Sequence, residues 1–571
     1  MEMKTRYILA IGCTFIALFT RCNNDFMDRF PTTSVTDNNF WNSERDMELY
    51  CNGLYTYIKG HGVGHDQSPI VAGDNQSDNM VPQNYDKVAA GEHIVPEKSG
   101  DNEWNWEFIR KCNYFLSRYN RAGIAQKIKD SYAAEVHFFK CWEYFNKVKR
   151  YGDVPWLSED LTTDSEELFA PRDSRLLVMD SVLTNLNWAI SNLPVKSEAV
   201  DGRINKDVAL ILKARICLHE GTFRKYHGID DGTTFLKEAV DAVSTLMHEG
   251  NYSIYNTGNP DKDYRNLFCD LDLAGNPEMI YYKKYELGLL GNRISNLLEG
   301  EESALGWSVS KSLVDSYLCE CGKPISLCKE HFLGHDSIQV EMLHRDPRLC
   351  QTVCYPGKDL LRESILPSIP GSGMSTSNIP TGYRIIKFWV DDPEEYLRYQ
   401  QGILDAPIFR YAEALLIYAE AKAELGECTQ NDLDKSINLL RKRVGMPDMI
   451  MANLIKDPLS DFPLLPVLID EIRRERRVEL ALESFRYDDM MRWKAGKLFE
   501  NPVRGMKYVA SQYPKVVLGK HIQIDDEGFI LPYWNILPNG RTFDESKHYY
   551  FPLPTEELVI NPNLKQNPGW K

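Results

Sequence analysis

Soft metal ligands crowd one stretch of this sequence, where Cys319, Cys321 and Cys328 are followed by His331 and His335. Thiolate and imidazole are the ligands of tetrahedral zinc sites. The C-x-C-x6-C spacing is not a zinc-finger pattern, so ligand type and ligand spacing disagree and the metal question stays open. A second group, Asp74, Asp78 and Asn79 in AGDNQSDNM, offers hard oxygen donors that suit calcium. The same residue types also build turns by bonding their own backbone, which is the competing reading.

A third set is aromatic. Molecules with apolar ring faces and hydroxylated edges are held by aromatic platforms with Asp, Asn, Arg or Tyr alongside, and the chain has 11 Trp and 30 Tyr. Trp106, Trp142, Trp188 and Trp493 fall within helix patterns, where packing is the default role. Loop aromatics are the better candidates for ligand contact: Trp307 after GEESALG, Tyr85 in VPQNYDKVAAG, and Tyr383 with Trp389 in TGYRIIKFWVDDPEEY. The alternation Tyr383, Ile385, Lys387, Trp389 also fits one face of a strand.

Helical periodicity dominates the elements that must position these residues. In PIFRYAEALLIYAEAKAELG, Ile408, Ala412, Leu415, Ala419 and Ala423 share one face, with Pro407 suited to the first turn and Gly426 to the exit. DLDKSINLLRKRVGMP, from Asp432, reads as its antiparallel partner. Further helices are predicted over 43–59, 104–122, 131–151, 176–193, 206–222, 235–249 and 470–494, with little strand. ALILKARICLHEG and YAEALLIYAEAKAELG share a pattern of small and large apolar residues ending at glycine, which suggests tetratricopeptide-like helix pairs. Long irregular stretches over 60–102 and 256–405 must then ride on this scaffold as loops, and ordered long loops are usually functional.

At the amino terminus, Lys4 and Arg6 precede the apolar run YILAIGCTFIALFT, as in a secretory signal. Cys22, followed by Asn23, Asn24 and Asp25, is placed as the lipid-bearing cysteine of a bacterial lipoprotein, although Arg21 stands where such sites usually carry a small residue. Each buried methylene of an acyl chain is worth ~0.8 kcal/mol, so several chains anchor a protein without a transmembrane helix. The 66 basic and 82 acidic residues give a net charge of −16, which excludes a nucleic-acid backbone as partner. In the tract from Arg473 to Glu479, arginines alternate with glutamates, which reads as a solvated or ion-paired helix face. Apart from Cys13 and Cys22 the chain has eleven cysteines, an odd number that cannot all pair.

The tail HYYFPLPTEELVINPNLKQNPGW, from His548, carries four prolines and is predicted to be an ordered, non-helical wrap. With CNNDFMDRFPTTSVTDNNFW from Cys22, AEVHFFKCWEYFNKVKRYGDVPW from Ala134, INLLRKRVGMP from Ile437 and RRERRVELALESFRYDDMMRWKAG from Arg473, it resembles the SusD/RagB family of nutrient-binding outer-membrane lipoproteins. The resemblance runs from Cys22 to the carboxy terminus. It implies a mainly α, SusD-like fold divided as signal 1–21, amino-terminal helical region 22–255, loop-rich ligand-facing region 256–405 and carboxy-terminal region 406–571. It also implies a non-catalytic surface lipoprotein without a cofactor, a structural calcium aside. Such a protein captures an oligosaccharide and acts as a lid on a partner SusC-like TonB-dependent transporter of the outer membrane. Asp74, Asp78 and Asn79 resemble a family segment near the ligand-facing side, and the cysteines of VDSYLCECGKPI replace ordinary surface positions. The alternatives are a surface binder of peptides or another nutrient, and a glycoside hydrolase, which needs two carboxylates about 5 Å or about 6.5–9.5 Å apart.

Overall fold

The computed structural model describes residues 37–98, 103–299, 306–354, 367–373 and 379–571; the signal at 1–21 and Cys22 lie outside the described residues. The protein is mainly helical. Its principal helices are α1 (Glu44–Leu54), α2 (Glu107–Leu116), α3 (Gln126–Tyr151), α4 (Arg175–Asn192), α5 (Lys206–His227), α6 (Thr233–Glu249), α7 (Tyr411–Glu424), α8 (Ile437–Arg443), α9 (Val467–Glu479) and α10 (Arg486–Arg492). Local signals set their starts: Ser43 and Asp46 form a capping box on α1, Ser174 caps α4, and Asn205 caps α5. α3 packs on α4, α5 on α6, α7 on α6 and α9, and α10 on α5. Gly221 of α5 lets the start of α6 approach closely, since a Cβ there would lie 3.0 Å from the Leu236 nitrogen. Among the described residues no helix is long and apolar enough to cross a membrane.

Among the described residues, strands of two or more residues form two antiparallel pairs. β1 (Met80–Val81) pairs with β3 (Ser308–Val309), and β2 (Met279–Lys283) pairs with β4 (Ala406–Arg410) across an irregular register. β4 explains why the helix predicted from 407 starts at Tyr411: the residues before it are spent on the ladder with β2. α7 also departs from the predicted single apolar face. Every residue of it except Lys422 is buried, and its acids are neutralised: Glu413 pairs with Arg215, Glu420 with Arg492 and Glu424 with Lys225. The predicted partner helix from Asp432 breaks at Lys435–Ser436 into Gln430–Asp434 and α8.

The helix expected over 470–494 breaks between α9 and α10. Leu482 and Ser484 adopt φ of +66° and +64° there. The Leu482 amide donates to Asp74 Oδ2 at 2.7 Å, and Ser484 Oγ lies 2.5 Å from the Ile70 carbonyl oxygen it donates to. Contacts to the 69–74 segment thus hold two residues in a region of φ that non-glycine residues rarely occupy. The tail wraps as expected but is not free of helix. Thr555–Ile560 is helical because the interval between Pro554 and Pro562 contains no proline. The wrap is pinned where the Phe551 amide donates to the Arg150 carbonyl at 2.8 Å and Asn567 Nδ2 donates to the Tyr151 carbonyl at 3.0 Å.

Two large cores result. One joins α1–α6 to α7 and reaches Phe551 and Leu564; the other gathers Val71, Met80 and the stretch from Tyr264 to Trp389 with Val478 to Ile530. The arginine–glutamate tract proves to be buried rather than solvated. Glu479, fully buried, meets Arg348 at 2.9 Å, Arg410 at 2.7 Å and Arg443 at 2.6 Å. Around it, Glu475 pairs with Arg348 and Arg441, Glu483 with Lys387 and Arg410, and Glu278 with Arg410. Burial alone would raise the Glu479 carboxyl; the guanidiniums of Arg443, Arg410 and Arg348 outweigh it and hold the group well below its ordinary 4.5. Arg492, Arg476 and Arg473 likewise overcome burial and hold Glu420 at about 2.

The second core also contains three aromatics expected to meet ligand. Trp389 and Tyr383 are fully buried and Trp307 is 4% exposed. The Trp389 ring lies under the Arg384 guanidinium at 4.7 Å, and the Tyr383 hydroxyl donates to Glu341 at 2.6 Å. The period-two alternation of 383–389 does not mark a strand with one open face, because every residue of that stretch is buried.

This packing makes three stability predictions. Glu479→Ala removes the anion from three buried cations and costs about 3–5 kcal/mol, read as a lowered denaturant midpoint. Because Glu479 and Glu420 have depressed folded-state pKa values, their contribution is present above 4.5 and is lost as pH falls toward 2, so the thermal midpoint drops steeply between about pH 5 and pH 3. Trp389→Ala empties core volume and destabilises by about 3–5 kcal/mol.

Candidate ligand-binding site

A cavity of about 830 Å³ opens between the amino-terminal helices and the α9–α10 connection. α3 supplies its longest wall. Trp142, Glu143, Asn146, Lys149 and Arg150 follow the helical repeat and share one partly exposed face, while Phe138, Cys141, Tyr144 and Val148 turn into the core. Tyr57 and Lys59 enter from the turn after α1, Phe108 from α2, Arg215 from α5, and Phe485, Tyr487 and Asp488 from the α9–α10 break and α10. The mouth carries the exposed residues Glu103, Asn105, Glu107 and Lys111, so the cavity is open to solvent.

Five rings on this wall, Tyr57, Phe108, Trp142, Phe485 and Tyr487, are half-buried rather than sealed in the core. Three of them form a continuous apolar surface: Tyr57 stacks on Phe108 at 4.5 Å and meets Trp142 edge-on at 5.6 Å. The Tyr57 ring is oriented by hydrogen bonds. Tyr57 donates to Glu143 Oε2 at 3.0 Å and accepts from Asn146 Nδ2 at 2.6 Å. Burial, then the Glu143 carboxylate, push the Tyr57 phenol well above 10, so it remains a neutral donor. The Arg215 guanidinium holds Glu413 through two nitrogens and lies 4.9 Å from the centre of the Phe485 ring.

Charged groups of the wall are paired in three places. Lys149 bonds Asp488 at 2.5 Å, Lys147 bonds Glu143 at 2.8 Å, and Glu483 is held by Lys387 and Arg410. A carboxyl serving as general acid at neutral pH needs a raised pKa. Glu483 is driven the other way, with Arg410 and Lys387 outweighing the burial that would raise it. The arrangement presents apolar ring faces beside fixed polar edges, which is chemistry for holding a polyhydroxylated ligand.

None of the seven sequence-predicted ligand residues lines this cavity. Trp307, Tyr383 and Trp389 are in the second core, as described above. Asp78 is clasped by Arg486, whose Nε and Nη2 donate at 2.7 and 2.8 Å, and by Arg477 at 3.1 Å. Asn79 accepts from Arg477 Nε at 2.9 Å. Two guanidiniums hold the Asp78 carboxylate, and Asp74 Oδ2 accepts from the Leu482 amide, so these three residues clasp the early loop to the α9–α10 turn. Of the seven, Tyr85 and Asp78 stay partly exposed, Tyr85 donating to Glu92 at 2.9 Å and meeting Tyr533 edge-on. Sequence reasoning assigned Trp142 to packing. The signal that distinguishes it is its position in a face with Glu143, Asn146 and Lys149, too polar for a core stripe.

The cysteines and histidines also part company. Cys321 and Cys328 bring their sulfurs to 3.3 Å, but His331 turns to Glu320 at 2.9 Å and His335 to Glu341 at 2.6 Å, where Lys311 already stands 3.3 Å from the His335 ring nitrogen.

Comparison with known proteins agrees with this architecture. A sequence model described as "SusD family" matches residues 283–570, and one described as "Starch-binding associating with outer membrane" matches 25–218. The SusD-like protein P38 of Formosa agariphila is 24% identical, the alignment covering 83% of this chain and 89% of that protein; a SusD-like protein of Bacteroides ovatus is 22% identical over 99% and 98%. Among solved structures, a SusD-like carbohydrate binding protein from Bacteroides fragilis superposes with a TM-score of 0.74 at 24% identity, covering 92% of this chain and all of that one. The surface glycan-binding protein A from Bacteroides fluxus gives 0.59 at 18%, over 93% and 100%. At these identities the structures show a shared fold. With its family model spanning half the residues and the helical scaffold reproduced nearly end to end, the chain belongs to the SusD family.

Proposed function

We propose that the protein is a lipid-anchored, cell-surface glycan-binding protein that captures an oligosaccharide and passes it, without cleaving it, to a SusC-like TonB-dependent transporter of the outer membrane. The observation that carries the binding step is the half-buried aromatic surface of Tyr57, Phe108 and Trp142 beside Asn146, Glu143 and Lys149 in a solvent-open cavity. Sugar rings bury their apolar faces on such a surface while their hydroxyls bond the polar edge. Carbohydrate binding in the printed names of the Bacteroides fragilis and Bacteroides fluxus relatives supports the ligand class. The outer-membrane description of the amino-terminal family model and the Lys4–Cys22 leader support the address. Delivery to the transporter is proposed from the family resemblance.

Isothermal titration of the protein beginning after Cys22 against plant, microbial and host glycans tests the reading. Saturable binding is expected, weakened about tenfold or more in Trp142→Ala, since loss of a stacked ring with its buried area is worth ~1.4 kcal/mol or more. Tyr85→Ala and Trp307→Ala leave affinity unchanged, Trp307→Ala lowering stability instead. Absence of binding to any glycan, or a Trp142→Ala protein with wild-type affinity, contradicts the proposal; release of reducing sugar by the purified protein contradicts the non-catalytic part.

A further inference from the structure

The stretch from Lys311 to His344 holds two clusters of nitrogen and oxygen donors, one of them already filled by an ammonium. In the first, Asp315, His335 and Glu341 surround the Lys311 ammonium, which lies 2.7 Å from Asp315 and 3.5 Å from Glu341 and so already neutralises them. The second gathers Glu320, His331 and His344. His331 Nδ1 lies 2.9 Å from Glu320 Oε1, and His344 Nδ1 lies 3.1 Å from each Glu320 oxygen. All three donor atoms fall within 4.8 Å of one another. The ion-pair partners of Glu320 among the described residues are these two imidazoles, so no ammonium or guanidinium fills the place between them.

The backbone builds this convergence from residues far apart in sequence. The Glu320 amide donates to the His344 carbonyl at 2.9 Å, and Cys319 bridges to Arg345 beside it. His344 holds φ at +56°, a left-handed conformation costly for a residue with a Cβ, and with it presents its ring to Glu320. Ligands about 2.0–2.1 Å from a tetrahedral zinc ion are about 3.3 Å from one another. The Glu320–His331 and Glu320–His344 separations of 2.9 and 3.1 Å lie within a few tenths of an ångström of that spacing, and the two imidazoles offer ligand atoms within 4.8 Å of one another.

We infer that Glu320, His331 and His344 form a binding site for a divalent transition cation of the zinc class. Two imidazoles and a carboxylate match its ligand preference and leave a fourth position for water. The side chains are 46%, 36% and 48% exposed, so the ion enters and leaves directly from solvent. Bound there, it ties the 320–344 excursion across its base, joining the two strands of chain that the Glu320–His344 backbone bond brings together.

The test is titration of zinc chloride into the untagged, chelator-treated protein under reducing conditions, with bound metal counted by mass spectrometry and the fold checked by circular dichroism. One equivalent per chain is expected, lost in the His331→Ala/His344→Ala double variant and weakened in Glu320→Gln, both of which change exposed side chains and leave the fold intact. Cys321→Ser/Cys328→Ser, which removes the neighbouring thiols, keeps the equivalent. No stoichiometric zinc in the wild type, undiminished zinc in the double histidine variant, or loss of zinc in the cysteine variant alone overturns the assignment.

Discussion

A single buried carboxylate, Glu479, sets the frame of the molecule. Its three guanidinium partners come from distant places: Arg348 beyond the 319–344 segment, Arg410 at the end of β4, and Arg443 at the end of α8. Removing such charges from water costs several kcal/mol per ion, and the cost is offset only when every partner is in place. The three segments must therefore arrive together around α9. Once they do, α9 can end where it does, and the chain turns through Leu482 and Ser484 over the 69–74 segment. That turn puts Phe485, Tyr487 and Asp488 opposite α3 and so closes the far wall of the cavity. Arg477 and Arg486 extend the same logic to Asp78, locking the early loop to the carboxy-terminal helices.

The cavity differs from the cores in how its aromatics are used. Core rings such as Trp389 and Tyr383 are enclosed on all sides, and Tyr383 spends its hydroxyl on Glu341. The rings on the cavity wall are only half-buried, and the hydroxyl edge of Tyr57 is fixed by Glu143 and Asn146. Preorganised faces lose little freedom when a ligand stacks on them. Because Lys149 and Asp488 already neutralise each other, a neutral polyhydroxylated ligand can enter without stranding an isolated charge.

Much of this was legible in the sequence, and what was missed shares a cause. Local signals gave most helices, and the ordered motifs of the two ends, of 134–156 and of 473–496 identified the family. The misplaced features depend on non-local partners. The start of α7 is set by β2, more than a hundred residues earlier, and the α9–α10 break is set by Asp74 and Ile70. Trp389 and Trp307 sit in irregular chain, where sequence suggests exposure, yet other segments cover them completely or nearly so. Trp142 sits in a regular helix, where packing is the default, yet that helix face borders open space. In the same way His331 and His344 meet Glu320 through a backbone pairing that no spacing rule anticipates.

The central claim is that ligand is held between α3 and the α9–α10 turn. Hydrogen–deuterium exchange with and without a bound oligosaccharide addresses it directly, because it reports where backbone becomes protected without altering any side chain. The account predicts protection concentrated in residues 57–60, 103–111, 142–150 and 483–488, with the Trp307 and Trp389 regions unchanged. Protection centred on the Tyr85–Tyr533 surface, with the cavity segments unaffected, would contradict it.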